Sequence, residues 1–156
     1  MIKIDEIKKT LNDYVNVDEV LTLSIEAKKY LNSLKWCNKI LNGWLVKDWG
    51  YMLCIFYFEI DPITESDADN FVWIIVGDTP PAYIDIESAH NELEALELYV
   101  YLMEEWIENA KRGKSVEDCF PINVEPSKKY ANMLYNRIKI LKSDFIAELS
   151  SEMKGS

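Results

Sequence analysis

Two apolar runs in the middle of the chain, Tyr51–Ile60 and Phe71–Val76, form its strongest hydrophobic pattern. Both runs are rich in aromatic and β-branched residues, which favour β-strands. Asp61-Pro62 ends the first run and Gly77-Asp78 ends the second, because proline and glycine interrupt strand pairing. Neighbouring strands joined by a short polar segment pair antiparallel most simply. The pattern therefore predicts an antiparallel pair at the centre of the fold.

Neither run alternates between apolar and polar residues. Residues 53–58 are hydrophobic or aromatic on both sides of the strand, and so are residues 72–76. A strand that is apolar on both faces is usually covered on both faces. The sequence thus predicts either helices on both faces of the sheet, or helices on one face and a partner subunit on the other. The second arrangement would be a homodimer.

The longest helical pattern spans Ala89–Arg112, after a predicted cap at Ser88 and before Gly113, which is predicted to end the helix. Its apolar stripe repeats at steps of three and four residues and consists of Ala89, Leu93, Leu96, Val100, Met103, Ile107 and Ala110. Further apolar residues widen the stripe to more than half of the circumference. We expect this helix to be nearly enclosed and to lie across the sheet.

Weaker patterns complete the predicted α+β fold, which is a single domain over residues 1–150 with a disordered tail at 151–156. The antiparallel sheet is small, with two to four strands, and it packs with four to five helices. Asn16 is expected to cap the second helix, with Glu19 as its partner in a capping box. Helices are expected over Ile4–Tyr14, Val17–Asn32, Leu34–Leu41 and Pro126–Leu149, and short strands over Trp44–Val46 and Tyr83–Ile86.

The chain is strongly acidic, with 27 Asp and Glu against 17 Lys and Arg and a formal net charge of −10. A surface of this charge repels nucleic acid and anionic membranes and attracts basic partners. The acidity also has a simpler interpretation, which is that it keeps the protein in solution. The odd number of cysteines, the absence of an apolar run long enough to cross a bilayer and an N-terminus unlike a signal peptide predict a cytoplasmic protein.

The sequence offers little catalytic chemistry. His90 is the only histidine, and no glycine-rich phosphate loop is present. The nearby Asp85, Glu87 and Glu94 have no spacing that is diagnostic of a metal site. The loop at 64–70 carries alternating acidic residues like a calcium loop, but it lacks the glycine and distal glutamate of that motif and is interpreted as a solvated hairpin loop. We expect no catalytic residue, no metal and no cofactor.

One face of the Ala89–Arg112 helix is acidic. Like charges four residues apart destabilise a helix by a few tenths of a kcal/mol for each pair. Either bases of the last helix or a basic partner would offset that cost. We call this surface the acidic ridge, and it consists of Glu94, Glu97, Tyr101, Glu104 and Glu108.

The run EIDPITESDADNFVWIIVGDTPPAYI and the helix through Trp106 resemble a family of small bacterial proteins known mainly as a domain of unknown function. This resemblance brings no catalytic residues. In size, acidity and lack of a catalytic signature, the chain is also similar to immunity proteins that neutralise basic bacterial toxins.

Two functions follow from these patterns. The first is a protein-binding or inhibitor module that acts on a basic partner through the acidic ridge. The alternative is a small-ligand binder or an enzyme with its site at the stiff Gly77–Tyr83 turn. Trp73, Asp78 and Tyr83 are the residues that we expect to line that pocket.

Overall fold

The computed structural model describes residues 1–11 and 16–155. Its contacts divide the chain into two compact units, Met1–Ala89 and His90–Ser156, which we call the sheet unit and the helical unit. Together they give an α+β fold with one antiparallel sheet, as predicted. The single domain over residues 1–150 and the position of the longest helix across the sheet stay predictions.

Within the described residues the sheet contains five strands in chain order, and every neighbouring pair is antiparallel. The prediction of two to four strands was therefore too low. The strands are β1 (Ile2–Lys3), β2 (Cys37–Asp48), β3 (Leu53–Pro62), β4 (Phe71–Gly77) and β5 (Ala82–Asp85). The described part of this unit also contains a 3₁₀ turn (Ile4–Glu6), α1 (Ile7–Thr10) and α2 (Val17–Ser33).

β3 and β4 form the predicted central pair, in a register that runs from Leu53 opposite Gly77 to Glu59 opposite Phe71. Side chains on both faces of this pair are buried, as the lack of alternation predicted. α2 covers one face, because its apolar stripe matches the apolar side chains that β3 and β4 present there. This core includes Val20, Leu23, Ala27 and Leu31 of α2 and Cys54, Phe56, Phe58, Val72 and Ile74 of the sheet.

The prediction of a helix over Leu34–Leu41 is wrong, because the chain enters β2 at Cys37. Pairing of β2 with β3 overrides the local helical spacing. Gly43 lies within β2. A Cβ atom there would lie 2.6 Å from the Phe58 ring, so the glycine makes room for the core.

The start of the chain also differs from the prediction. The 3₁₀ turn and α1 replace the first helix, whose predicted end at Tyr14 lies outside the described residues. α2 begins at Val17 as expected, but the Asn16 side chain makes no capping hydrogen bond. Its amide instead donates to the Asp48 carboxylate at the end of β2. A tertiary partner has thus replaced the predicted capping box.

The helical unit contains α3 (Glu92–Lys111) and a long C-terminal helix. That helix consists of α4 (Lys128–Ile140), a π-helical stretch (Leu141–Ile146) and α5 (Ala147–Lys154). It packs along α3, and the Trp106 and Tyr130 rings meet edge to face at 5.8 Å. The final helix extends to Lys154, whereas the sequence predicted a disordered tail from position 151.

The helix caps lie close to their predicted positions. Asn91, rather than Ser88, caps α3 and accepts a hydrogen bond from the Glu94 amide. The last helix begins at Lys128, after its cap residue Ser127, two residues later than the predicted start at Pro126. α3 ends before Gly113, as predicted. Across the described residues, no helix combines the length and the hydrophobicity that a bilayer span requires.

Candidate functional site

α3 presents the acidic ridge on one side, but its five members differ in exposure. Glu97 and Glu108 are exposed, and Tyr101 keeps 59% of its surface accessible. Glu94 and Glu104 are partly buried. The opposite side of the helix is buried, as the breadth of its apolar stripe predicts. The ridge is thus the side of α3 that meets solvent.

Glu94 stabilises the beginning of α3. Its Oε1 accepts a hydrogen bond from the His90 backbone N–H at 3.0 Å and lies 3.1 Å from His90 Nδ1. These hydrogen bonds, with the backbone N–H first among them, lower the pKa of the Glu94 carboxyl. The Asn91 side chain completes the cap. Glu94 therefore has a structural role whether or not a partner binds.

Two further glutamates of the ridge pair with bases of the same unit. Lys142 Nζ lies 3.0 Å from Glu104 Oε2, and Arg112 Nε lies 2.7 Å from Glu108 Oε1. All four side chains remain substantially accessible. Exposed ion pairs of this kind contribute about 0–1 kcal/mol to the stability of the fold. The two carboxylates can therefore exchange partners at little cost.

Glu97 and Tyr101 form the centre of the ridge. Within the described part of the chain, neither side chain forms an ion pair or a hydrogen bond. An exposed phenol next to an exposed carboxylate offers apolar area, a hydroxyl and a negative charge at one place. Such a combination suits a basic protein surface.

The structure does not bring the alternative pocket residues together. Tyr83 pairs with Ile74 in the sheet, so its side chain lies on the face opposite to that of Trp73. The Trp73 indole N–H donates to the Ala89 carbonyl at 2.9 Å in a buried position. Asp78 is exposed after the end of β4, and its backbone N–H donates to the Met52 carbonyl. The turn therefore holds the three residues in three different environments.

Tyr83 instead lines a cavity of about 310 Å³ within the sheet unit, which we call the edge cavity. The cavity lies beside the edge strand β5, next to the polar loop between β3 and β4. The Trp36 ring meets the Tyr83 ring at a centroid distance of 5.2 Å and an angle of 73°. The residues that line the edge cavity are Trp36, Ser66, Asp67, Ala68, Asp69, Phe71, Val72, Tyr83 and Asp85.

The polar loop of the edge cavity has a defined turn. The Ser66 hydroxyl accepts a hydrogen bond from the Ala68 N–H at 2.9 Å, and the Ser66 N–H donates to the Ile63 carbonyl. This turn places Asp67 and Asp69 on the lining of the cavity. Sequence spacing had marked the loop only as a calcium-like pattern. Its relation to Tyr83 and Trp36 follows from the strand register, which spacing does not reveal.

Metal chemistry has no assembled site in residues 1–11 and 16–155. No three His, Cys, Asp or Glu side chains in that part of the chain converge closely enough to hold a metal ion. The expectation of no cofactor and no catalytic residue stays a prediction.

The three cysteines are buried, and burial raises the pKa of each thiol. Cys54 shows the largest shift, to a pKa of about 12, through desolvation and then the negative charge of Asp48. Its Sγ contacts the Gly50 carbonyl oxygen at 3.6 Å. A thiol that keeps its proton at neutral pH is a poor nucleophile. These cysteines therefore belong to the core.

We expect the free energy of unfolding to fall as the pH rises from about 9 to about 12, because an unfolded thiol has a pKa of about 8.5. In that window the unfolded state binds fewer protons than the folded state, and Cys54 alone contributes a slope of up to about 1.4 kcal/mol per pH unit. Urea titrations at several alkaline pH values measure the slope. Cys54→Ala should be less stable at neutral pH yet show a shallower alkaline decline. Equal slopes in the two proteins would contradict the assignment.

No family model, curated protein or solved structure matches the chain. The resemblance to a bacterial family of unknown function therefore stays a prediction.

Proposed function

We propose that this protein is a binding module for a basic protein, and that Glu97 and Tyr101 at the centre of the acidic ridge contact that partner. The observation that carries the proposal is the exposure of Tyr101, at 59%, on a helix that is otherwise largely enclosed. Tyrosine is among the residues that contribute most to protein interfaces. The carboxylates around it select a partner of positive charge.

The charges of the ridge suit such a contact. The whole chain has a formal charge of −10, which attracts a basic protein over a distance of about one Debye length. Once the partner arrives, its bases compete with Lys142 and Arg112 for Glu104 and Glu108, whose exposed ion pairs cost little to exchange. A module of this kind would inhibit a basic protein by covering its surface, as immunity-like proteins do.

The alternative, a small-ligand binder or an enzyme at the Gly77–Tyr83 turn, has less support. Trp73 and Tyr83 lie on opposite faces of the sheet, and Asp78 does not line the edge cavity. A ligand at the turn would therefore not meet the three residues together.

The partner is best identified by photo-crosslinking from position 101. A photoreactive phenylalanine analogue replaces Tyr101 in the cell that naturally makes the protein, and mass spectrometry identifies the adduct. We expect a protein of net positive charge. The matched control carries the same analogue at Tyr51, which is 51% exposed and lies in the sheet unit. No adduct at position 101, or the same adducts at both positions, would overturn the proposal.

With the purified partner, the association rate tests the charge of the ridge. We expect Glu97→Lys to slow association at least about tenfold at about 0.1 M salt. The effect should shrink at about 1 M salt, where the screening length falls from about 10 Å to about 3 Å. Glu26→Lys is the matched control, because Glu26 is exposed on α2 and the net charge changes equally. Equal slowing by both variants would show that net charge alone, rather than the ridge, attracts the partner.

A further inference from the structure

The edge cavity combines aromatic walls with carboxylates. We propose that it binds an organic cation, namely a primary ammonium or guanidinium group carried on an aliphatic stem. This site lies in the sheet unit and does not depend on the acidic ridge, so each proposal stands or fails by its own experiment.

The first support is the charge of the cavity. Asp67, Asp69 and Asp85 line it, and none of its described lining residues is basic. Within the described part of the chain, none of the three carboxylates forms an ion pair. Negative charges that share a cavity repel one another, and a bound cation would offset that repulsion.

The charge of the whole unit points the same way. Residues 1–89 hold 15 of the 27 acidic side chains but only 8 of the 17 basic ones. Most of the negative excess therefore belongs to the unit that contains the edge cavity. Its field raises the local concentration of cations near the entrance.

The second support is the pair of rings. Trp36 and Tyr83 are half-buried, whereas Asp67 and Asp85, which also line the cavity, are exposed. An indole face attracts a cation through its quadrupole, and tryptophan is the best of the aromatic residues at this. An amphipathic cation would thus place its stem and its charged group against the rings, and the carboxylates would neutralise the positive charge. The volume of about 310 Å³ lies within the range of small-ligand pockets.

The same lining disfavours a metal ion. Hard cations such as calcium need six to eight oxygen ligands at short distance. In the described residues no three carboxylates converge to that extent. The aromatic walls offer no further oxygen ligands, whereas they suit the weakly hydrated surface of an alkylammonium or guanidinium group.

Nuclear magnetic resonance titration tests the proposal with butylammonium and butylguanidinium chloride as probes. We expect saturable shifts of the Trp36 indole N–H and of the backbone amides of residues 66–69. Butanol and sodium butyrate keep the stem but lack the cation, and they should bind at least about tenfold more weakly. Butanol binding as tightly as butylammonium, or no shift with either cation, would overturn the proposal. Calcium chloride shifting the same amides at lower concentration than either probe would also overturn it.

Variants assign the binding to the cavity. Trp36→Leu, and separately Asp67→Asn with Asp85→Asn, should each weaken butylammonium binding at least about tenfold. The matched control is Glu6→Gln with Glu26→Gln, which removes the same charge from exposed positions elsewhere in the sheet unit and should bind like the parent. Equal weakening by the control would show that the overall charge of the sheet unit, rather than the cavity, determines binding, and it would overturn the cavity assignment.

A second pair of probes distinguishes the source of the cation. Blocked glycyl-lysyl-glycine and glycyl-arginyl-glycine present the same groups on a peptide backbone. Tighter binding of the tripeptides supports a basic side chain of a protein as the natural occupant, and tighter binding of the free amines supports a small molecule. Failure of both pairs to bind overturns the organic-cation site.

Discussion

Replacing Leu96 by Asp is expected to unfold the protein. Leu96 lies in α3 with 0% of its surface exposed, so the new carboxylate would be buried without a partner. Burying such a group costs at least about 3 kcal/mol, which is a large part of the 5–15 kcal/mol that stabilises a typical domain. Thermal unfolding followed by circular dichroism measures the effect.

Glu97→Gln is the matched control, because it changes the next residue of the same helix at an exposed position. We expect its melting temperature to stay within about 2 °C of the parent, since exposed substitutions change stability by about 0.5 kcal/mol or less. If the melting temperature of Leu96→Asp also stays within that interval, Leu96 is not buried in the folded protein.

The central strands and α3 could be predicted because their signals are local and strong. In β3 and β4 the apolar residues are continuous and mostly β-branched or aromatic, which favours strands, and in α3 the apolar residues repeat over five turns, which favours a helix. Only the Trp44–Val46 part of β2 was predicted as a strand, and the beginning of β2 could not be predicted in the same way. Its first residues, from Cys37, read as a helix, and only the neighbouring β3 makes them a strand. Strand formation depends on a partner that the local sequence does not contain.

The same distinction applies to the candidate sites. The acidic ridge follows from helical spacing, which places residues three and four apart on one face. The pairing of Glu104 with Lys142 joins positions 38 residues apart, and no local pattern gives it. The edge cavity likewise depends on tertiary structure, because Trp36 meets Tyr83 only after the sheet has formed. The sequence predicted that Tyr83 would share a pocket with Trp73 and Asp78 at the Gly77–Tyr83 turn. The fold instead places Tyr83 on the lining of the edge cavity.

Gly77 shows how closely β3 and β4 approach each other. It pairs with Leu53 at the end of the two strands. A Cβ atom at position 77 would lie 2.3 Å from the Met52 carbonyl oxygen and 2.7 Å from the Leu53 Cα. Both atoms belong to the backbone, so relief requires the strands themselves to separate. That movement would also disturb the hydrogen bond from the Asp78 N–H to the Met52 carbonyl.

Gly77→Ala is therefore expected to lower the free energy of unfolding by about 3 kcal/mol, because a single methyl group displaces paired backbone at the end of the central strand pair. Urea titration measures the loss. Gly155→Ala is the matched control, since a Cβ atom there would approach its nearest neighbour, the Ser151 carbonyl oxygen, at an ordinary 3.5 Å. That variant should differ from the parent by less than about 0.5 kcal/mol. Equal stability of the two variants would mean that β3 and β4 do not pair in the register that places Gly77 opposite Leu53.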